Sequence, residues 1–82
     1  MVTVRFDKDF QHTIEKIKNN SVKESVQNKI SKIIENPEIG KPMRYARKGT
    51  REVYVGSFRL SYAYYPNEKL IEFLDLYHKD EQ

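Results

Sequence analysis

With 82 residues, the chain has room for one compact core and none for a second domain or a solenoid of repeats, so residues 1–82 read as a single domain. The absence of cysteine removes disulfides, thiol nucleophiles and thiolate metal sites, leaving carboxylate, imidazole, amine, guanidinium and hydroxyl groups to carry any chemistry. The net charge of +3 is modest but unevenly spread: Lys41, Arg44, Arg47, Lys48 and Arg51 follow one another with no acidic residue between them, which leaves the rest of the chain at −2.

In chain order, Val2, Val4 and Phe6 alternate with Thr3 and Arg5, the period of two expected of a strand with one buried face. From about Asp7 the apolar residues Phe10, Ile14 and Ile17 recur at spacings of three and four, which predicts a short helix capped by Asp7 and ended at Asn19-Asn20. Ser21-Val22-Lys23-Glu24 has the form of a capping box and predicts a second helix that buries Val22, Val26, Ile30, Ile33 and Ile34 and stops at Asn36-Pro37. The two helices are expected to form a hairpin. Residues 38–50, with Gly40, Pro42 and Gly49, show no period and contain most of the basic cluster.

Three strands follow, at 51–55, 58–65 and 69–77, joined by Gly56-Ser57 and by Pro66-Asn67-Glu68. Turns this short join antiparallel neighbours. The fold class is therefore α+β: an N-terminal strand, a helical hairpin, then a three-stranded antiparallel meander, in the order β-α-α-β-β-β. The helices should cover one sheet face. Alternation then places Phe58, Leu60, Tyr62 and Tyr64 beneath them with Val53 and Val55, and leaves Glu52, Tyr54, Arg59, Ser61 and Ala63 on the open face. For the last strand, strict alternation leaves apolar side chains on the open face in either phase; with Leu70, Leu74 and Leu76 buried, Ile71, Phe73 and Tyr77 stay outside with Asp75. A half-apolar open face is expected to bind something.

This order of elements, together with Gly40-Lys41-Pro42-Met43, Lys48-Gly49, Glu52, the run Val55-Gly56-Ser57-Phe58-Arg59-Leu60-Ser61-Tyr62 and the closing Leu76-Tyr77-His78-Lys79, resembles the RelE/ParE toxin superfamily of type II toxin-antitoxin systems. The resemblance spans nearly the whole chain, and its most specific element is Phe58 to Tyr62. It implies a ribosome-dependent mRNA endonuclease in the RelE-like and YoeB-like branches, in which the 2′-hydroxyl of the mRNA attacks the adjacent phosphate without a metal or other cofactor. It implies a non-catalytic DNA gyrase inhibitor in the ParE-like branch. An inactive toxin that only binds its antitoxin is the third alternative.

For the nuclease, Arg59 matches the family arginine and is the candidate phosphate contact, with Lys79 as a second. Lys41, Arg44, Arg47, Lys48 and Arg51 are candidates for contacts to RNA backbone, which need positive charge but little sequence information, and Tyr54 is a candidate for base stacking. Each of these also has a plainer reading, as a solvated charge or as one half of a cross-strand pair such as Arg59 with Glu52 or Asp75. The acid and base are left among Glu52, Tyr77 and His78. RelE-like members carry lysines where this chain has Glu52 and Tyr54, and a tyrosine beyond the last strand, where this sequence ends at Gln82. YoeB-like members use a glutamate and a Tyr-His pair, which Glu52 and Tyr77-His78 imitate in residue type. His12, on the first helix, reads as a surface residue. The implied partners are a cognate antitoxin in a hetero-oligomer, the ribosome and mRNA. With no secretion signal and no run of membrane-spanning length, a cytoplasmic location without membrane contact is expected.

Overall fold

A computed structural model describes residues 2–43 and 49–78. Strand β1 (Thr3–Phe6) leads into helix α1 (Lys8–Lys16) and helix α2 (Asn20–Glu35), followed by the short strand β2 (Lys41–Pro42) and by β3 (Thr50–Val55), β4 (Phe58–Tyr65) and β5 (Leu70–His78). The expected α+β architecture is present, with two additions: β2, and a sheet of five strands in the order β1-β5-β4-β3-β2. The strand β1 lies parallel to β5, and every other pairing is antiparallel. Its register sets Val4 beside Ile71 and Phe6 beside Phe73, so that the apolar side chains of both strands share one face.

Local chemistry explains the element boundaries. The Asp7 carboxylate accepts from the Asp9 amide at 3.0 Å and caps α1, as the sequence suggests. For α2 the cap is Asn19, whose side chain accepts from the amides of Ser21 and Val22, so the helix begins two residues before the capping box would start it. With Asn19 capping two residues earlier, the first free amides of the helix are already satisfied, and the Ser21 hydroxyl is not needed as a cap. Gly56 adopts φ +58°, the conformation that a two-residue hairpin puts at its first central position, and so fixes β3 against β4 with Tyr54 opposite Arg59.

Helix α1 packs on β5 and α2 on β3. Between helices and sheet lie Phe10, Val26, Ile33, Val55, Leu60, Tyr62, Ile71, Phe73 and Leu76, with Phe58, Tyr64, Val53, Val22 and Ile30 packed against them. Phe73 is the hub: its ring lies 5.2 Å from that of Phe6, 5.6 Å from Phe10 and 6.1 Å from Tyr62. Burying a side chain of this kind contributes about 1.5–3 kcal/mol. Ile34, expected in the core, is 38% exposed, since Ile33 already occupies the inward position of that turn.

The expectation that Ile71 and Phe73 lie on the open face does not hold: both are fully buried. The pairing of β4 with β5 shifts between Ser61 and Tyr62, whose partners are Asp75 and Phe73, so Leu74 is an extra residue in a β-bulge. One inserted residue reverses the phase of alternation. Ile71 and Phe73 before the bulge and Leu76 after it therefore all point into the core, a combination that strict alternation forbids.

A buried lock ties the chain after α2 to the sheet. The Tyr62 phenol donates to the Pro37 carbonyl at 2.7 Å and accepts from the Gly40 amide at 2.9 Å, while Arg51 Nη1 donates to the carbonyls of Glu38 and Gly40. Glycine is required at position 40 by close approach, because a Cβ there would lie 2.6 Å from the Tyr62 oxygen. Burial pushes the Tyr62 phenol above its ordinary pKa of 10.0, and the Gly40 amide and the Arg51 charge offset this only in part.

Candidate functional site on the open sheet face

The face away from the helices is built from two rows of side chains. Cross-strand register aligns Lys41, Glu52, Ser61 and Asp75 in one row, and Tyr54, Arg59 and Tyr77 in the next. Directly opposed residues of an antiparallel pair project to the same side, with Cβ atoms about 5 Å apart, so these positions are held by the ladder itself and not by loops.

At the centre is Glu52, a carboxylate only 8% exposed. A buried charge of this kind needs partners. Among the described residues, two converge on it: Arg59 Nη1 lies 3.7 Å from Oε1, and the Tyr77 phenol donates a hydrogen bond to Oε2. The Arg59 guanidinium also lies 5.2 Å from the centre of the Tyr54 ring, a cation–π arrangement that leaves Tyr54 63% exposed. The bulge in β5 makes this convergence. Without the extra residue at Leu74, Tyr77 would fall on the helical side and His78 on the open side; with it, Tyr77 is the cross-strand partner of Arg59 and His78 that of Phe58.

The structure thus brings together Glu52, Arg59, Tyr77 and Tyr54, and separates other residues singled out in the sequence. His78 lies on the helical face, its ring edge-on to Phe58 at 5.5 Å. Arg51 is also on that face, bonded to the carbonyls of Glu38 and Gly40. Lys41 is exposed at the edge of the site, opposite Glu52. Arg44, Arg47, Lys48 and Lys79 lie outside the described residues. His12 is exposed on α1 and lines a polar recess with Lys8, Lys16 and Asp75.

What the sequence reading lacked was β2. Two residues cannot display a period, and its only trace is the Gly40-Lys41-Pro42 triplet; the register that places Lys41 beside Glu52 emerges only from the folded sheet. The capacity of the site follows from its groups: a carboxylate that can take a proton, a phenol bonded to it that can give one, and a guanidinium suited to a phosphate oxygen. Among the described residues, no group of three or more histidine or carboxylate side chains is placed to hold a metal ion, and no helix is long and apolar enough to cross a membrane.

On the other side of the molecule, Phe6, Phe10, Ile14, Val26 and Ile30 line a groove of about 370 Å³ between α1 and α2.

Comparison with known proteins places these features in a family. The profile of the ParE toxin of type II toxin-antitoxin systems, parDE, matches residues 1–82. No curated protein sequence matches significantly. Solved structures do. The YoeB/ParE toxin from Agrobacterium tumefaciens superposes with a TM-score of 0.84 at 12% identity, covering 94% of this chain and 98% of that one. The intact RelBE toxin-antitoxin complex of E. coli gives a TM-score of 0.80 at 16% identity, over 95% and 96% of the two chains. The RelBE2 toxin-antitoxin complex of Mycobacterium tuberculosis gives 0.80 at 24% identity, over 95% and 98%. Identities this low speak for a shared fold, and the profile match over the whole chain supplies the family: the chain belongs to the ParE toxins of type II toxin-antitoxin systems, within the RelE/ParE superfamily.

Proposed function

We propose that the chain is a ribosome-dependent mRNA endonuclease that inhibits translation, with the open sheet face as its active site. The observation that carries this reading is the buried Glu52 carboxylate held between the Tyr77 phenol and the Arg59 guanidinium on a face otherwise open to a polymer. A toxin that acted only by occupying a partner surface would have no need to bury a carboxylate at the cost of its desolvation.

The chemistry requires no group from outside. Glu52 takes the proton of the ribose 2′-hydroxyl as the O2′–P bond forms. The P–O5′ bond breaks, and the leaving oxygen takes the Tyr77 proton. Glu52 then returns its proton to Tyr77 through the hydrogen bond that joins them, and the products are a 2′,3′-cyclic phosphate and a 5′-hydroxyl. Arg59 neutralises charge that accumulates on the phosphate, and Tyr54, most of its ring exposed, stacks on a neighbouring base. His78, packed against Phe58, has no part in this scheme.

The partner is a cognate antitoxin, as in the RelBE complexes that share the fold. The groove between α1 and α2 suits the apolar face of an amphipathic helix.

Cleavage of mRNA programmed on purified ribosomes, with the product ends analysed chemically, tests the proposal. Wild-type protein should yield cyclic phosphate ends, and Arg59→Ala should not. The match to ParE toxins favours a second reading, a gyrase inhibitor. It predicts intact mRNA and a block of supercoiling by purified gyrase.

A further inference from the structure

The shortest strand of the sheet is among the most firmly anchored. On one side of Lys41, the Gly40 amide donates to the Tyr62 phenol at 2.9 Å and the Gly40 carbonyl accepts from Arg51 at 2.9 Å. On the other side, the Met43 amide donates to the Thr50 carbonyl at 2.9 Å. Lys41 itself is paired with Glu52 and Pro42 with Arg51. A backbone fixed this closely delivers the Lys41 side chain to the open face beside the central carboxylate.

Opposed lysine and glutamate residues on neighbouring strands ordinarily form an ion pair. Here the Glu52 oxygens face Arg59 and Tyr77, and Lys41 makes no ion pair or hydrogen bond through its side chain among the described residues. The sheet order explains the geometry. Glu52 is on β3, Lys41 on β2 to one side of it and Arg59 on β4 to the other. Strands two apart lie about 10 Å from each other, a span that a phosphodiester and two long cationic side chains can fill. A phosphate above Glu52 thus has a cation on each flank. Arg59 is committed in part to Glu52 and Tyr54, while among the described residues the Lys41 ammonium is unengaged.

We propose that Lys41 is a catalytic residue, its ammonium contacting a non-bridging oxygen of the scissile phosphate from the β2 side. This inference rests on the nuclease reading and extends it. As the O2′–P bond forms and the P–O5′ bond breaks, negative charge grows on the phosphate oxygens, and a cation at a fixed position stabilises that state more than the starting one. Lys41 transfers no proton in this scheme; those steps belong to Glu52 and Tyr77.

The test is single-turnover cleavage of ribosome-bound mRNA over a range of toxin concentrations, which separates the maximum rate from half-saturation. Lys41→Met keeps the apolar stem and removes the charge; Lys41→Arg keeps the charge. The expected result is a maximum rate lowered about 10²–10³-fold in Lys41→Met, as for loss of one charge-stabilising donor, with half-saturation little changed and substantial recovery in Lys41→Arg. Equal melting temperatures of the three proteins show that the fold is intact. A Lys41→Met maximum rate close to wild type overturns the proposal, whether or not half-saturation rises, since a rise alone describes a diffuse backbone contact. A slow Lys41→Met with no recovery in Lys41→Arg overturns it as well. Failure of the wild-type protein to cleave overturns the nuclease reading together with this inference, so the wild-type lane distinguishes the two failures.

Discussion

The two faces of the sheet each carry an arginine and a tyrosine that converge on oxygen, and the contrast between them separates architecture from chemistry. Beneath the helices, Arg51 and Tyr62 bind the carbonyls of Pro37, Glu38 and Gly40. These acceptors are neutral backbone groups whose only service is to hold the chain. On the open face, Arg59 and Tyr77 meet the side chain of one residue, the carboxylate of Glu52. The same two residue types hold fixed carbonyls on one face and, in the proposed nuclease, serve the reacting groups on the other. The faces are also connected, because the lock on Gly40 sets the position of β2 and so of Lys41.

Substitutions on the two sides should therefore fail in different ways. The largest effect is expected from Arg59→Ala, which should slow cleavage of ribosome-bound mRNA about 10²–10³-fold, close to 3–4 kcal/mol of transition-state stabilisation, with a smaller loss of stability because the buried Glu52 carboxylate loses a partner. An unfolding defect of that size would instead make Arg59 part of the architecture. Next is Gly40→Ala. The added methyl would meet the Tyr62 oxygen at 2.6 Å, and equilibrium denaturation should show a loss of about 1–3 kcal/mol. Unchanged stability would mean that the lock is looser than its geometry.

Tyr62→Phe removes one donor and one acceptor and should cost about 1–2 kcal/mol in denaturation. The matched change Tyr77→Phe takes a hydrogen bond from the buried Glu52 carboxylate at a stability cost no greater than that of Tyr62→Phe, and should slow cleavage on the order of 10²-fold. Exchange of these two phenotypes would invert the comparison of the faces. The smallest effect is one of pH. Burial raises the Tyr62 pKa, so the fold favours the neutral phenol; the stability this contributes is fully present below about pH 10 and is lost as pH climbs through the raised value. Melting followed from pH 8 to pH 12 should show this loss in the wild type and a weaker one in Tyr62→Phe.

Most of the fold was legible because periodicity is a direct record of burial. Val2, Val4 and Phe6 declare a strand, Phe10 and Ile14 a helix face, and Phe58 to Tyr64 the inner face of β4, and each lies where its spacing requires. The bulge at Leu74 was not legible, since one inserted residue leaves no mark in a run where every residue but Glu72 and Asp75 is apolar or aromatic. Its consequence reached the site: the phase after the bulge decides that Tyr77, and not His78, shares a face with Arg59. Glu52, Tyr54 and Arg59 could be placed together from the Gly56-Ser57 turn alone, since a two-residue hairpin fixes register. Lys41 could be named as a cation but not located, because β2 owes its existence to Tyr62 and Arg51, residues ten and more positions away along the chain.

The central claim is that Glu52 is the base of an RNA-cleaving site. Glu52→Gln retains the shape of the side chain and its ability to accept from Tyr77 but loses the capacity to take a proton. The most direct measurement is the single-turnover rate at which this variant cleaves ribosome-bound mRNA. A fall of about 10²–10³-fold with an unchanged melting temperature is the predicted result. Cleavage by Glu52→Gln at the wild-type rate would contradict the account.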